Sequence, residues 1–277
     1  MNLASMRAAV APLFTSWLKS DSNQISLASF LLFGFFAALV IYYYRVATQS
    51  SRPLPKLRRI AGLDAIDESI GRATEMGRPV VFNPGMSSFS APTYGALAVL
   101  SYVAKQTARY DVRLIGCFRY PEVLAVAQST IQACYVEEGK PDAFRTDDMR
   151  YLSGDQFGFA SGCVGIVQRE RAAAHHMFGS LAAEALLLAE AGAAAGAIQI
   201  AGQTNNLQTP FLVAACDYCL MVEELYVASA YLTQDRLRTG MLAAQDIIKV
   251  ILIALILSGT LFVTFGSTLI GDLLILY

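Results

Sequence analysis

Hydrophobic positions along this chain change period several times, and each change marks an element. Two stretches have no period at all. Residues 25–44 and 250–270 are apolar throughout and carry no charge. A helix crosses about 30 Å of hydrocarbon with about 20 such residues, so both stretches are expected to be transmembrane helices. Between them the pattern alternates. Helical spacing over 63–75, ending at Gly77, gives way to a short apolar run at 80–82, stopped by Asn83-Pro84-Gly85. Further helices are expected at 93–109, from Pro121 to about 138, from the cap Asp155 to about 170, at 181–191, 207–214 and 223–232. Strands are expected at 112–117, 149–152 (weak), 173–178, 197–201 and 218–222. Residues 172–202 form the clearest strand–helix–strand crossover, with Gly192 and Gly196 as stop candidates for its helix.

Six short apolar runs, each followed by a helix, predict an α/β domain. The expected fold is a Rossmann-like, doubly wound, mostly parallel sheet of about six strands covered on both faces. Its crossovers are expected to be right-handed. The full layout reads as an amphipathic interfacial helix (1–24, with Trp17 as anchor), a first span (25–44) and a basic juxtamembrane linker (45–61). The α/β domain (62–232), a connector (233–249), a second span (250–270) and a short outer tail (271–277) follow. Gly34, Ala37 and Ala38 in the first span, and Ser267 and Gly271 in the second, are small enough for close helix contact.

Composition agrees with membrane attachment. Of 277 residues, 55% are hydrophobic and 16% charged, and mean hydropathy is +0.45. Arg45, Arg52, Lys56, Arg58 and Arg59 follow the first span. Arg236, Arg238 and Lys249 precede the second. The excess of cations next to both spans on the domain side predicts a two-pass protein of the cell membrane, with the central domain cytoplasmic and both termini outside. Net charge of -1 without a long basic block argues against nucleic acid as a partner. Expected partners are the lipid bilayer, other copies of the chain, and subunits of a larger membrane complex.

The runs EALLLAEAGA (184–193), IQIAG (198–202), VEELYVASAYL (222–232) and AQD (244–246) together resemble an uncharacterised family of prokaryotic membrane proteins. In that family, known as a domain of unknown function, two spans flank a cytoplasmic α/β domain. The resemblance extends over roughly 52–265. It implies the architecture and no activity, so no catalytic residue is carried over.

Candidate chemistry is sparse. Ligands of open parallel sheets bind beyond the carboxyl ends of the strands. On that rule a small-ligand site is expected on Asn83, Gly85, Ser87, Ser88, Arg119, Gly202, Gln203, Thr204 and Glu224. The plain alternative for the same residues is turn and N-cap duty. The phosphate-loop lysine pattern and G-x-G-x-x-G are both missing from the sequence. No cofactor and no metal are expected. Cys216 and Cys219, three apart on a strand, would face opposite sides about 10 Å apart and not share an ion. His175 and His176 likewise face opposite sides and are expected as satisfied core or interface residues, since no G-x-S-x-G nucleophile turn accompanies them. Glu184 and Glu190, in an apolar helix, are expected to bond backbone or cross an interface. A structural or interaction role in a homo-oligomer is the leading expectation. A nucleotide or metabolite sensor comes second, and a hydrolase or transferase at the same edge third.

Overall fold

The computed structural model describes residues 27–49, 60–233 and 236–264. The expected amphipathic helix at 1–24 and most of the basic linker lie outside them. The chain forms two compact units, Met1–Pro55 with Arg236–Tyr277, and Lys56–Asp235.

In the first unit, α1 (Leu27–Thr48) is apolar almost throughout. Within the second unit come α2 (Ala61–Met76), β1 (Val80–Gly85), α3 (Ala91–Arg109), β2 (Leu114–Phe118) and α4 (Pro121–Glu137). Two short 3₁₀ turns precede β3 (Met149–Tyr151). Then follow α5 (Gln156–Arg169), β4 (Ala174–Ser180), α6 (Ala185–Ala195), β5 (Ile198–Gln203), α7 (Thr209–Ala215), β6 (Tyr218–Met221) and α8 (Glu223–Thr233). The helix α9 (Arg236–Thr264) returns to the first unit. The residues expected as a separate connector are the opening turns of α9.

All six strands are parallel, in the order β3-β2-β1-β4-β5-β6. The order reverses between β1 and β4, the switch point of a doubly wound sheet. Alternation along each strand sorts the core into two layers. Val80, Phe82, Phe118, Phe178 and Ile200 meet α2, α3, α4 and α8. Val81, Ile115, Cys117, Met177 and Ala201 meet α5, α6 and α7.

Several element ends differ from expectation. Asn83-Pro84-Gly85 does not stop β1 but completes it. Pro84, which has no N–H to give, falls at an irregularity of the β1–β4 ladder between Asn83 and Gly85. Gly202 and Gln203 belong to β5, and Gly179 and Ser180 to β4. Gly192 lies inside α6, where a β-carbon would collide with Gln199. Gly196, at φ 71°, ends that helix.

In the first unit, α1 and α9 meet where a β-carbon on Gly240 would stand 2.6 Å from Ala47 Cβ and 3.1 Å from the Tyr43 carbonyl. Gly34, expected to be a contact, has nothing within 4 Å. Ser267 and Gly271 lie outside the described residues. Two helices are thus long and apolar enough to cross a membrane, with apolar windows at Phe30–Thr48 and Thr239–Leu261.

Candidate functional site

The switch point is closed by backbone. Gly85 (φ 85°) and Gly179 (φ 118°) are both left-handed. The Met86 N–H donates to the Ser180 carbonyl at 2.7 Å. A β-carbon on Gly85 would stand 2.7 Å from Ser180 N and O, and one on Gly179 would strike the Pro84 carbonyl. These glycines let β1 and β4 touch each other rather than a ligand.

The predicted site residues all gather at this carboxyl edge, in two groups divided by β4. On the β1–β2 side, Asn83 is wholly buried. Its Oδ1 accepts from the Gly85 N–H at 2.8 Å, and its Nδ2 has no partner among the described residues. The Ser88 hydroxyl donates to Glu122 Oε1 at 2.8 Å. Thr93 Oγ1 donates to the Ser88 carbonyl at 2.7 Å and reaches the Ser87 carbonyl at 3.5 Å. A carboxylate beside this turn opposes the anion that the serines were expected to hold. The Glu122 carboxyl is itself pulled below its ordinary range by a backbone hydrogen bond and by Ser88. Arg119 spends two N–H groups on loops, Nε on the Gly154 carbonyl at 2.9 Å and Nη1 on the Met86 carbonyl at 3.1 Å. Its guanidinium lies 5.2 Å from the Tyr120 ring centre. It pins the loops after β1 and β3 to that after β2.

On the β5–β6 side Gly202 packs, because a β-carbon there would stand 2.7 Å from the Phe178 ring. Gln203 is wholly buried, and neither atom of its amide group has a partner among the described residues. Thr204 is half-buried at the bend that follows. Glu224 Oε2 accepts from the Met221 N–H at 3.1 Å. The link between them, Val222, sits at φ 40°, an unusual place for a β-branched residue, and its N–H donates to the Gln203 carbonyl at 2.9 Å.

One feature escaped the sequence reading. Asn83 Nδ2, both His175 nitrogens, Gln199 Oε1 and both Gln203 amide atoms are buried without partners. All belong to residues facing the α5–α6–α7 layer. In the ladder Val81, His175 and Gln199 share one row, and Gln203 pairs with Gly179 four positions further on. Above them Glu184, also wholly buried, accepts from the Ala182 N–H at 2.7 Å and from Gln156 Nε2 at 2.8 Å. The backbone bond expected of Glu184 is present, and Glu190 is exposed. The signal was there as polar residues of one parity, 199 and 203, but only the register between strands makes them neighbours.

The histidines do face opposite layers, and neither is fully satisfied, since His176 Nδ1 and both His175 nitrogens are buried without partners among the described residues. His176 Nε2 lies 2.8 Å from the Ser69 hydroxyl, whereas His175 has no side-chain partner among the described residues. Burial pulls His175 down to about 4. Burial, with the neighbouring His175 charge, pulls His176 to about 3. Cys216 and Cys219 do not take opposite sides. Cys216 precedes β6, and both thiols pack on the same α5–α6–α7 cluster. Burial pushes them up to about 12 and about 11, so at neutral pH they are protonated and poor metal ligands. No cluster of three metal-binding side chains occurs among the described residues.

Two clefts lie at the opposite, amino edge of the sheet, of about 270 and 380 Å³, and share Asp111, Val112 and Arg113. Arg113 donates there to Asp148 and Glu170, and Arg150 also reaches Glu170. This is a charge network that fixes the starts of β2 and β3 and the end of α5.

The model of the family described as a domain of unknown function, DUF6754, matches residues 18–274, so the chain belongs to that family. No curated protein and no solved structure matches it.

Proposed function

We propose that this member of the DUF6754 family is a two-span membrane protein whose cytoplasmic α/β domain assembles with copies of itself, as a structural or interaction element rather than an enzyme. The observation that carries this reading is α6. Its sequence ALLLAEAGAAA is apolar but for the exposed Glu190, and so apolar a helix is ordinarily covered on most of its sides. Here Leu188 and Ala189 are buried against the sheet, while Leu186 (51%) and Leu187 (46%) are exposed, as is Val213 (53%) of α7, the helix packed next to α6. A second copy of the same largely apolar surface would cover them, and two-fold self-association is the commonest solution. The flanking cations support the cytoplasmic placement.

Mass photometry of the chain in detergent tests the assembly. The wild type should run at a multiple of 29.9 kDa. A Leu186→Glu, Leu187→Glu double variant should fall to the single mass. A wild type already at the single mass removes the reading.

The buried, unpartnered Asn83 Nδ2 and Gln203 amide group favour a second reading, a small-molecule sensor at the carboxyl edge. A ligand held at 100 times its Kd should stabilise the chain by about 2.7 kcal/mol. Thermal melts with nucleosides, nucleotides and sugar phosphates check this, and a uniformly flat panel counts against it.

A further inference from the structure

We propose that the carboxyl edge of the sheet is a bilayer-seating surface, on which exposed aromatic rings enter the headgroup region; this rests on the two-span reading above. Seven aromatic rings of the domain are exposed. Six of them, Phe89, Tyr94, Tyr151, Phe157, Phe211 and Tyr226, stand at a strand's carboxyl end, in the loop that follows it or in the first turn of the next helix, leaving Tyr110 at the other edge. Leu207 (80% exposed) and Met221 (53%) join them. Phe89 and Tyr94 stack with ring centres 5.9 Å apart.

Charge is distributed the other way. Of the eleven lysines and arginines between residues 60 and 233, Arg119 alone stands at the carboxyl edge. The amino edge holds the ion pairs Lys105–Glu137, Arg109–Glu138, Lys140–Asp111 and Arg113–Asp148. The domain is therefore amphipathic along its strand axis, hydrated at one end and aromatic at the other. Four acids at the aromatic end are tied within the fold. Asp64 accepts from Tyr231, Asp155 from the Gly158 N–H, and Glu122 and Glu224 as described above.

The course of the chain selects lipid as the occupant. It enters the domain at the start of α2, where Gly62 abuts Leu220 near the carboxyl end of β6. It leaves after α8, whose Tyr231 hydroxyl donates to Asp64 of that same first turn at 2.7 Å. Only residues 234 and 235 separate α8 from α9 in the sequence. The apolar window of α9 opens at Thr239. The cations Arg52, Lys56, Arg58 and Arg59 precede α2 in sequence, suited to anionic headgroups. Tyrosine and phenylalanine spread over the tips of several connections match an interfacial aromatic belt.

Tryptophan quenching tests this in the full chain. The single native tryptophan, Trp17, is replaced by Phe. One reporter is then introduced as Leu207→Trp, Tyr94→Trp or Val136→Trp, the last on an exposed site at the end of α4 near the amino edge. The variants are reconstituted in phosphatidylcholine/phosphatidylglycerol vesicles with plain or brominated acyl chains. Reporters at 207 and 94 should lose most of their emission to bromine, and the reporter at 136 should keep it. Unquenched emission at 207 and 94, or equal quenching at 136, overturns the proposal. Flotation of the same samples keeps the two readings apart. Protein that fails to float refutes the two-span reading itself, whereas floating protein with a bright 207 reporter refutes only the seating.

Discussion

At the scale of single residues, the informative positions are those where the fold accepts a cost. Gly179 combines φ 118° with a position where a β-carbon would strike the Pro84 carbonyl, while Gly196 is left-handed in open space. Gly179→Ala should therefore destabilise the domain by on the order of 3 kcal/mol, from clash and backbone strain together. Gly196→Ala should cost about 1 kcal/mol, from conformation alone. Urea titration of both variants checks the ranking, and equal losses would remove the claim that β1 and β4 need the glycine contact. Gln203 poses the opposite case. A buried amide without partners costs about 1–3 kcal/mol, and an apolar residue of similar shape removes that cost. Gln203→Leu should raise the urea midpoint. A fall instead would show that the amide is hydrogen-bonded to a bound molecule, in support of the sensor reading.

At the scale of elements, hydrophobic period was the reliable guide. Every expected strand and every helix of the domain is present, because a short apolar run followed by 3.6-residue spacing has few other ways to bury itself in an α/β fold. The ends of strands were less legible. Asn83-Pro84-Gly85 reads as a stop, and only the neighbouring β4 shows that it can be a strand with a skipped bond. The candidate edge was legible as a set of positions, since the order of elements dictates where strands end. What each residue does there was not. Arg119 and Ser88 are bound to neighbours distant in sequence, and the shared layer of His175, Gln199 and Gln203 depends on register. Small residues in the spans misled for the same reason, as Gly34 faces open space and Gly240 makes the contact. Gly240→Leu should therefore loosen the α1–α9 pair by about 1–3 kcal/mol through overpacking, whereas Gly34→Leu should be silent. Thermal melts in detergent separate them, and the reverse order would reassign the contact.

At the scale of the whole molecule, the two units should respond to acid differently. His175 and His176 sit wholly buried in the central strand β4, so protonating either requires opening the sheet. An unfolded histidine titrates near about 6.5. Folded, the pair is pulled down to about 4 and about 3 by burial. Above pH about 6.5 both are neutral in either state and contribute no pH dependence. As pH falls through that value the unfolded chain takes up protons that the folded sheet refuses. Stability then declines by about 1.4 kcal/mol per pH unit for each histidine, until the folded group titrates in turn. Carboxylates held low by arginines, Glu138 by Arg109 and Glu170 by Arg150 and Arg113, add loss in the same direction, since their pairing is present at neutral pH and vanishes as they protonate. None of these groups belongs to α1 or α9. Acidification from pH 7 to 4 in lipid should therefore abolish near-ultraviolet dichroism from the domain's tyrosines while a far-ultraviolet helical signal from α1 and α9 survives. His175→Leu should roughly halve the histidine part of the slope between pH 6.5 and 4, since it removes one of two buried imidazoles. A variant with the wild-type slope would mean that the central strand does not keep His175 unprotonated, and that acid opens the domain through His176 and its surface ion pairs.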